Sequence, residues 1–150
     1  MKDVLTFIFH NFFLVALGVA CIWALIRQQG LLSYFMLLPI GLGGIWAFYL
    51  YAFHTELGAK LAGWNVCNFQ YSAAAAFLGL GINGIIAFKK GRDFRLSVIL
   101  FASALFWGDL IAHFYQAYYI GESASSNTAF IMYGDFLIPS ALWIAFTLDL

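Results

Sequence analysis

Charged side chains are scarce in this 150-residue chain: Asp, Glu, Lys and Arg make up 9% of it, against about 25% in a soluble domain. Seven basic residues balance seven acidic ones, so the formal net charge is zero. A neutral chain lacks the concentrated basic face that a nucleic-acid backbone requires, and we expect no nucleic-acid partner. Disorder is excluded too, because the few charges are combined with many large apolar groups.

Cysteine and proline are also rare, with two of each. The spans described below place Cys21 and Cys67 near opposite faces of a bilayer, too far apart for a disulfide. Common catalytic motifs are missing as well: the chain contains no Gly-x-Ser-x-Gly, His-Glu-x-x-His, phosphate loop or Cys-x-x-Cys. No motif therefore indicates a serine hydrolase, a zinc protease, a nucleotide-binding protein or a thiol oxidoreductase.

Apolar residues are abundant, at 64% of the chain. Five apolar runs reach the length of about 20 residues that a helix needs to cross a bilayer, namely 4–26, 31–53, 69–88, 96–120 and 129–148. The first run has the weak basic start of a secretory leader, but it continues to Ile26 and we interpret it as a spanning helix. The sequence predicts an all-α polytopic bundle of five transmembrane helices, forming one transmembrane domain over residues 1–150.

Basic residues are unevenly distributed among the polar breaks between these runs. The face with the first and third breaks carries Arg27, Lys89, Lys90, Arg92 and Arg95, and the other face carries Lys2 and Lys60. The positive-inside rule then predicts an N-terminus outside and a C-terminus in the cytoplasm. The outer break at 54–68 is long enough for a short interfacial helix.

Small residues in two of the runs predict close helix packing, since backbones in a membrane approach each other where side chains are small. In the third run Ala75, Gly79 and Asn83 follow one another at four-residue spacing, with Gly81 and Gly84 beside them. In the second run three glycines follow Pro39, where a kink or a locally opened backbone is expected. Tight packing and a broken helix that lines a cavity are both compatible with this pattern.

The few ionisable residues inside the runs lie at similar depth. Counted at 1.5 Å per residue, three of them lie roughly 9–10 Å below the outer ends of their helices and the fourth lies one turn deeper. The three are His10, His113 and Asp135, and the deeper one is Asp109; His54, Glu56 and Gln70 lie at the same outer end. Because ionisable groups at membrane depth usually face the bundle interior or a wet cavity, we expect a common pocket.

Asp109 and His113 are four residues apart and share one helical face, so the carboxylate can orient the imidazole. Three interpretations remain open: a polar clasp between helices, a binding or proton-handling site, and a divalent-metal site. The metal ligands would be Asp109, His113 and Asp135, completed by His54, Glu56 or His10. Asp135 is either a local polar filler near Pro139 or the partner of His113 or His10 on another helix.

Short motifs in the second half of the chain resemble those of a known family. They are Gly63-Trp64 before Phe69-Gln70, then Phe94-Arg95, then Gly108-Asp109 before His113, and finally Asp135 before Pro139. Over about residues 60–140 the chain is similar to a family of small bacterial multi-span membrane proteins catalogued as a domain of unknown function. The resemblance implies a multi-span bacterial membrane protein and no particular activity. We expect its location to be the inner membrane.

Our leading hypothesis is a membrane protein that binds a small polar ligand or a cation in an outward-facing pocket. The pocket would consist of Asp109, His113 and Asp135, with His10, His54, Glu56 and Gln70 at its rim. Three alternatives stay open: a proton-coupled small transporter that forms a homo-oligomer, a lipid-modifying enzyme with His113 as general base, and a structural subunit of a membrane complex. The lipid bilayer is the partner that all four share.

Overall fold

The computed structural model of the chain describes residues 7–8, 11–27, 30–62, 65–115, 118 and 129–148. Within these ranges the chain forms helices and no strand, which confirms the all-α prediction for this part of the protein. The helices are α1 (Phe12–Arg27), α2 (Leu31–Phe53), α3 (Thr55–Ala62), α4 (Phe69–Ala87), α5 (Arg92–Tyr115) and α6 (Ala129–Thr147). The helix α3 lies in the break at 54–68, where the sequence predicted a short helix.

In the part of the chain that the structure describes, three helices, α2, α4 and α5, are long and apolar enough to cross a membrane. The helix α1 is apolar but shorter, with 16 residues between Phe12 and Arg27. The bounds of α2 coincide with the second predicted run, and those of α4 differ from the third run by one residue. The helical and apolar character of the chain therefore fits a membrane protein.

The helix α2 contains a π-helical segment, Met36–Leu42, with Pro39 at its centre. Proline has no N–H to donate, and its ring would collide with the carbonyl of Phe35 in a regular α-helix. The wider π turn accommodates both effects. The locally opened backbone that the sequence predicted after Pro39 is thus present, and α4 packs against it.

Glycines bring the backbones of α2 and α4 into contact. A Cβ atom on Gly44 would lie 2.6 Å from the backbone nitrogen of Gly81, and one on Gly84 would lie 2.6 Å from the backbone nitrogen of Gly41. Gly79, by contrast, would meet nothing within 4 Å. The face of α4 that carries Gly81 and Gly84 therefore contacts α2, and the face that carries Gly79 points away from α2.

A second helix pair, α5 and α6, packs beside the first. Ile99 of α5 and Ile138 and Leu142 of α6 are completely buried between the helices. The indole nitrogen of Trp143 donates a hydrogen bond to the Ser103 hydroxyl at 2.9 Å, which links α6 to α5 inside the bundle. This pairing sets α5 and α6 side by side and brings their polar residues together.

Candidate functional site

His113 of α5 and Asp135 of α6 face each other inside the bundle. The His113 Nε2 atom lies 3.8 Å from the Asp135 Oδ2 atom, and each residue is 8% exposed. This distance is within the range of an ion pair but too long for a hydrogen bond. The structure therefore gives Asp135 one of the two partners that the sequence suggested for it.

The Asp135 Oδ2 atom is buried, and no described residue forms a hydrogen bond to it. A carboxylate oxygen accepts hydrogen bonds and, when ionised, has no proton to donate. Leaving such an atom unpaired in the interior costs about 1–3 kcal/mol or more. Buried polar atoms in folded proteins are nearly always paired, so this unpaired oxygen is an exception among the described residues.

Two further polar side chains lie around this pair. Asp109 lies one turn before His113 on α5 and within electrostatic range of Asp135. Tyr51 of α2 lies within electrostatic range of both carboxylates. Three helices thus contribute to one polar cluster, which we call the acidic cluster and define as Tyr51, Asp109, His113 and Asp135.

The sequence analysis missed Tyr51, which lies two residues from the C-terminal end of α2. Helical side chains point back toward the N-terminus of their own helix. The long Tyr51 side chain therefore reaches deeper into the bundle than its position in the chain suggests. This direction was the available signal for the depth of the Tyr51 side chain, because α2 runs toward the end of the bundle where the acidic residues lie.

Aromatic rings pack against the acidic cluster from the interior of the bundle. The Tyr51 ring lies 5.5 Å from the Phe77 ring, measured between centroids, and Phe77 in turn lies 6.3 Å from Phe106. Phe13 of α1 completes this aromatic group at 5.3 Å from Phe106. Apolar walls of this kind keep the local dielectric low, which strengthens any electrostatic contact that the cluster makes.

Gln70, at the start of α4, is completely buried. Its Nε2 atom donates hydrogen bonds to the carbonyl of Thr55 at 2.8 Å and to that of Tyr51 at 3.3 Å. Because both neighbours are carbonyl oxygens, the Nε2 atom and not the Oε1 atom must face them. The Oε1 atom therefore points away from these two carbonyls. That Oε1 atom is buried, and no described residue donates a hydrogen bond to it. Gln70 thus joins α4 to the backbone that carries Tyr51.

His54 and Glu56 lie apart from the acidic cluster. The His54 Nε2 atom is 2.8 Å from the Tyr49 hydroxyl, and both His54 and Glu56 are exposed. Tyr49 and Tyr51 are two residues apart on α2 and therefore point to opposite faces of the helix. A shallow depression of about 330 Å³ is lined by residues from Phe53 to Leu57, including His54 and Glu56.

Among the described residues, no three His, Cys, Asp or Glu side chains converge as a metal ion requires. His10 lies outside the described residues. What the structure brings together from the predicted set is Asp109, His113 and Asp135, with Gln70 bonded to the backbone beside them.

The family model described as "Family of unknown function (DUF6790)" matches residues 6–149 of the chain. The match extends well beyond the residues on which the resemblance in sequence rested. No curated protein and no solved structure matches the chain.

Proposed function

The chain belongs to the Family of unknown function (DUF6790), and we propose that it is an integral membrane protein that binds a small polar ligand or a cation. The binding site in this proposal is the acidic cluster, with Asp109, His113 and Asp135 as its ligand-binding residues. The observation that carries the proposal is the buried Asp135 Oδ2 atom, which lies between two helices and has no hydrogen-bond partner among the described residues.

A polar clasp between helices explains this atom less well than a binding site does. A clasp would hold His113 and Asp135 at hydrogen-bond distance, whereas the Nε2 and Oδ2 atoms are 3.8 Å apart. The unpaired buried oxygen raises the free energy of the empty site, and a bound donor or cation would lower it.

The proposal is tested by thermal unfolding of the purified protein in mild detergent, with methylammonium, sodium, magnesium, zinc and glycerol as separate probes. We expect at least one probe to raise the Tm of the wild-type protein by several degrees, as binding to the folded state alone must do. Asp135→Asn removes the charge of the unpaired carboxylate with little change of shape. In this variant the probe should therefore no longer raise the Tm.

Asp93→Asn is the matched control, since Asp93 is an exposed acid at the opposite end of α5 from Asp109. This variant loses the same charge and should keep the response to the probe. If no probe stabilises the wild-type protein, or if Asp135→Asn responds as the wild type does, the cluster is a clasp and the proposal fails.

We further propose that all five predicted runs cross a bacterial inner membrane, with the N-terminus outside and the acidic cluster facing outward. Arg27, Lys89 and Lys90 support this orientation, because they are exposed at the end of the bundle opposite to the cluster. The short helix α3 and the exposed Cys67 then lie on the outer side.

Labelling of Cys67 tests this orientation. In a Cys21→Ser background, Cys67 is the one remaining cysteine of the chain. We expect a membrane-impermeant maleimide to label it in intact spheroplasts as strongly as in disrupted cells, because Cys67 is exposed between α3 and α4. The Cys21→Ser/Cys67→Ser variant sets the background. Labelling that requires cell disruption would reverse the orientation and make the cluster face the cytoplasm.

A further inference from the structure

Three exposed basic residues lie within four positions in the turn between α4 and α5. Lys89 and Lys90 follow the C-terminal end of α4, and Arg92 is the first residue of α5. We call residues 89–92 the basic turn. Because so short a stretch of backbone joins the three side chains, their charges act together at one place on the surface.

Hydrogen bonds hold the backbone of the basic turn in place. The Lys90 N–H donates to the Ala87 carbonyl at 3.1 Å. The Arg95 guanidinium, in the first turn of α5, donates to the carbonyls of Ala87 and Phe88 at 3.1 and 3.0 Å. The two lysines are therefore presented from an ordered backbone, and a bound partner does not have to order this segment.

The Arg92 side chain is held against α6. Its guanidinium lies over the Phe146 ring, 4.1 Å from the ring centroid. This cation–π contact keeps the Arg92 charge at the end of the bundle, next to the two lysines. Arg92 therefore adds to the positive potential of the basic turn, while Lys89 and Lys90 carry their ammonium groups on flexible side chains that can reach a partner.

The charge of this segment favours an anionic partner. Residues 89–95 contain four basic side chains and one acidic side chain, that of Asp93. The acid is exposed beside the turn and lowers the positive potential without cancelling it. Attraction between exposed charges is screened by salt, so the binding of an anion here should weaken as the ionic strength rises.

The apolar surface next to the basic turn indicates what kind of anion fits. Ile86 in the last turn of α4 is 42% exposed, and Leu100 on α5 is 53% exposed. Because α4 and α5 are long and apolar enough to cross a membrane, the turn between them lies where hydrocarbon meets water. A free anion gains nothing from these apolar side chains, whereas the acyl chains of a phospholipid can pack along them while its phosphate lies at the turn.

We propose that the basic turn binds the phosphate of an anionic phospholipid, with Lys89 and Lys90 in contact with the headgroup and Arg92 adding its charge. Basic residues that directly adjoin a spanning helix are suited to anionic headgroups. The basic turn lies at the opposite end of the bundle from the acidic cluster. The inference therefore goes beyond the proposed function and stands independently of it.

The test is a lipid titration of the purified protein in mild detergent at low ionic strength. Phosphatidylglycerol and phosphatidylcholine are added in separate titrations, and native mass spectrometry measures the lipid-bound fraction. We expect phosphatidylglycerol to bind the wild-type protein more tightly than phosphatidylcholine by about tenfold or more, because only its headgroup carries a net negative charge.

Substitution of the two lysines should remove this preference. One basic residue next to an anionic lipid contributes about fivefold in affinity, so Lys89→Gln and Lys90→Gln should each weaken phosphatidylglycerol by about this factor. The double variant should lose about tenfold or more and bind phosphatidylcholine as before. In detergent without lipid its Tm should match that of the wild type, because both side chains are exposed.

Lys60→Gln is the matched control, since Lys60 is an exposed lysine on α3, at the other end of the bundle. It removes the same charge and should leave the affinity for phosphatidylglycerol unchanged. If it weakens phosphatidylglycerol as much as Lys90→Gln does, the binding depends on the net charge of the protein and the basic turn is not the site.

Two other results would overturn the inference. One is equal affinity of the wild-type protein for phosphatidylglycerol and phosphatidylcholine, or equal affinity of the wild type and the double variant for phosphatidylglycerol. The other is displacement of phosphatidylglycerol by an excess of inorganic phosphate at constant ionic strength, which would make the basic turn a site for a free anion.

Discussion

Gly84→Ala should destabilise the protein strongly, although it adds a single methyl group to a helix. The new Cβ atom would lie 2.6 Å from the Gly41 backbone nitrogen and 2.8 Å from the Met36 carbonyl oxygen. Both neighbours are backbone atoms of the π segment in α2, which cannot move aside as a flexible side chain can. We expect a loss of about 2–3 kcal/mol or more in the free energy of unfolding, measured by denaturant titration in detergent.

Gly79→Ala is the matched control on the same helix, because its Cβ atom would meet nothing within 4 Å. Alanine favours the helical state over glycine by up to about 1 kcal/mol, so this variant should be unchanged or slightly more stable. A comparable loss in both variants would show that α4 depends on its glycines for flexibility. The loss of stability in Gly84→Ala would then not come from a close backbone contact between α2 and α4.

Arg95→Met should produce the second large effect, at the opposite end of the bundle from the acidic cluster. The Arg95 guanidinium donates to the carbonyls of Ala87 and Phe88 at 3.1 and 3.0 Å and to the Ser33 hydroxyl at 2.8 Å. Arg95 thus links α5 to the C-terminal end of α4 and to α2. Methionine preserves much of the apolar volume and removes all three bonds.

Hydrogen bonds to charged groups contribute about 1.5–3 kcal/mol each when buried, and Arg95 is half-buried. We therefore expect Arg95→Met to lower the free energy of unfolding by about 2–4 kcal/mol. Arg95→Lys should recover part of this loss, because one ammonium cannot reach all three acceptors. The measurement is the same denaturant titration.

Lys90→Gln removes an exposed positive charge from the turn between α4 and α5. It is therefore the control for the loss of one positive charge at this end of the bundle. It should leave the stability within about 0.5 kcal/mol of the wild type, as surface substitutions usually do. If Lys90→Gln and Arg95→Met destabilise the protein equally, the stability depends on the net charge at this end of the bundle and not on the hydrogen bonds of Arg95.

The sequence was a good guide to where the helices lie along the chain. Long apolar runs separated by short polar breaks predicted α2, α4 and α6 to within one residue at each end, because composition and length are local properties. Pro39 predicted the opened backbone of α2 for an equally local reason, its missing N–H. Asp109 and His113 were placed on one face by their four-residue spacing alone.

The rotation of each helix about its own axis was much harder to predict. In a soluble bundle an amphipathic stripe shows which face is buried, but helices that are apolar all round carry no such stripe. The sequence therefore offered two rows of small residues in α4 and gave no reason to prefer the row with Gly81 and Gly84. It also gave no sign of which face of α2 is turned inward, so it could not show that Tyr51 lies near the acidic residues while His54 pairs with Tyr49.

By itself, the sequence of this protein determined its helical class, the bounds of α2, α4 and α6, and the common helical face of Asp109 and His113. The tertiary structure alone decided that Tyr51 joins the acidic cluster, that His54 and Glu56 lie outside it, and that the Asp135 Oδ2 atom is buried without a partner among the described residues. The physical reason is that spacing along the chain fixes depth, whereas the fit of one glycine-lined backbone against another fixes which side chains meet.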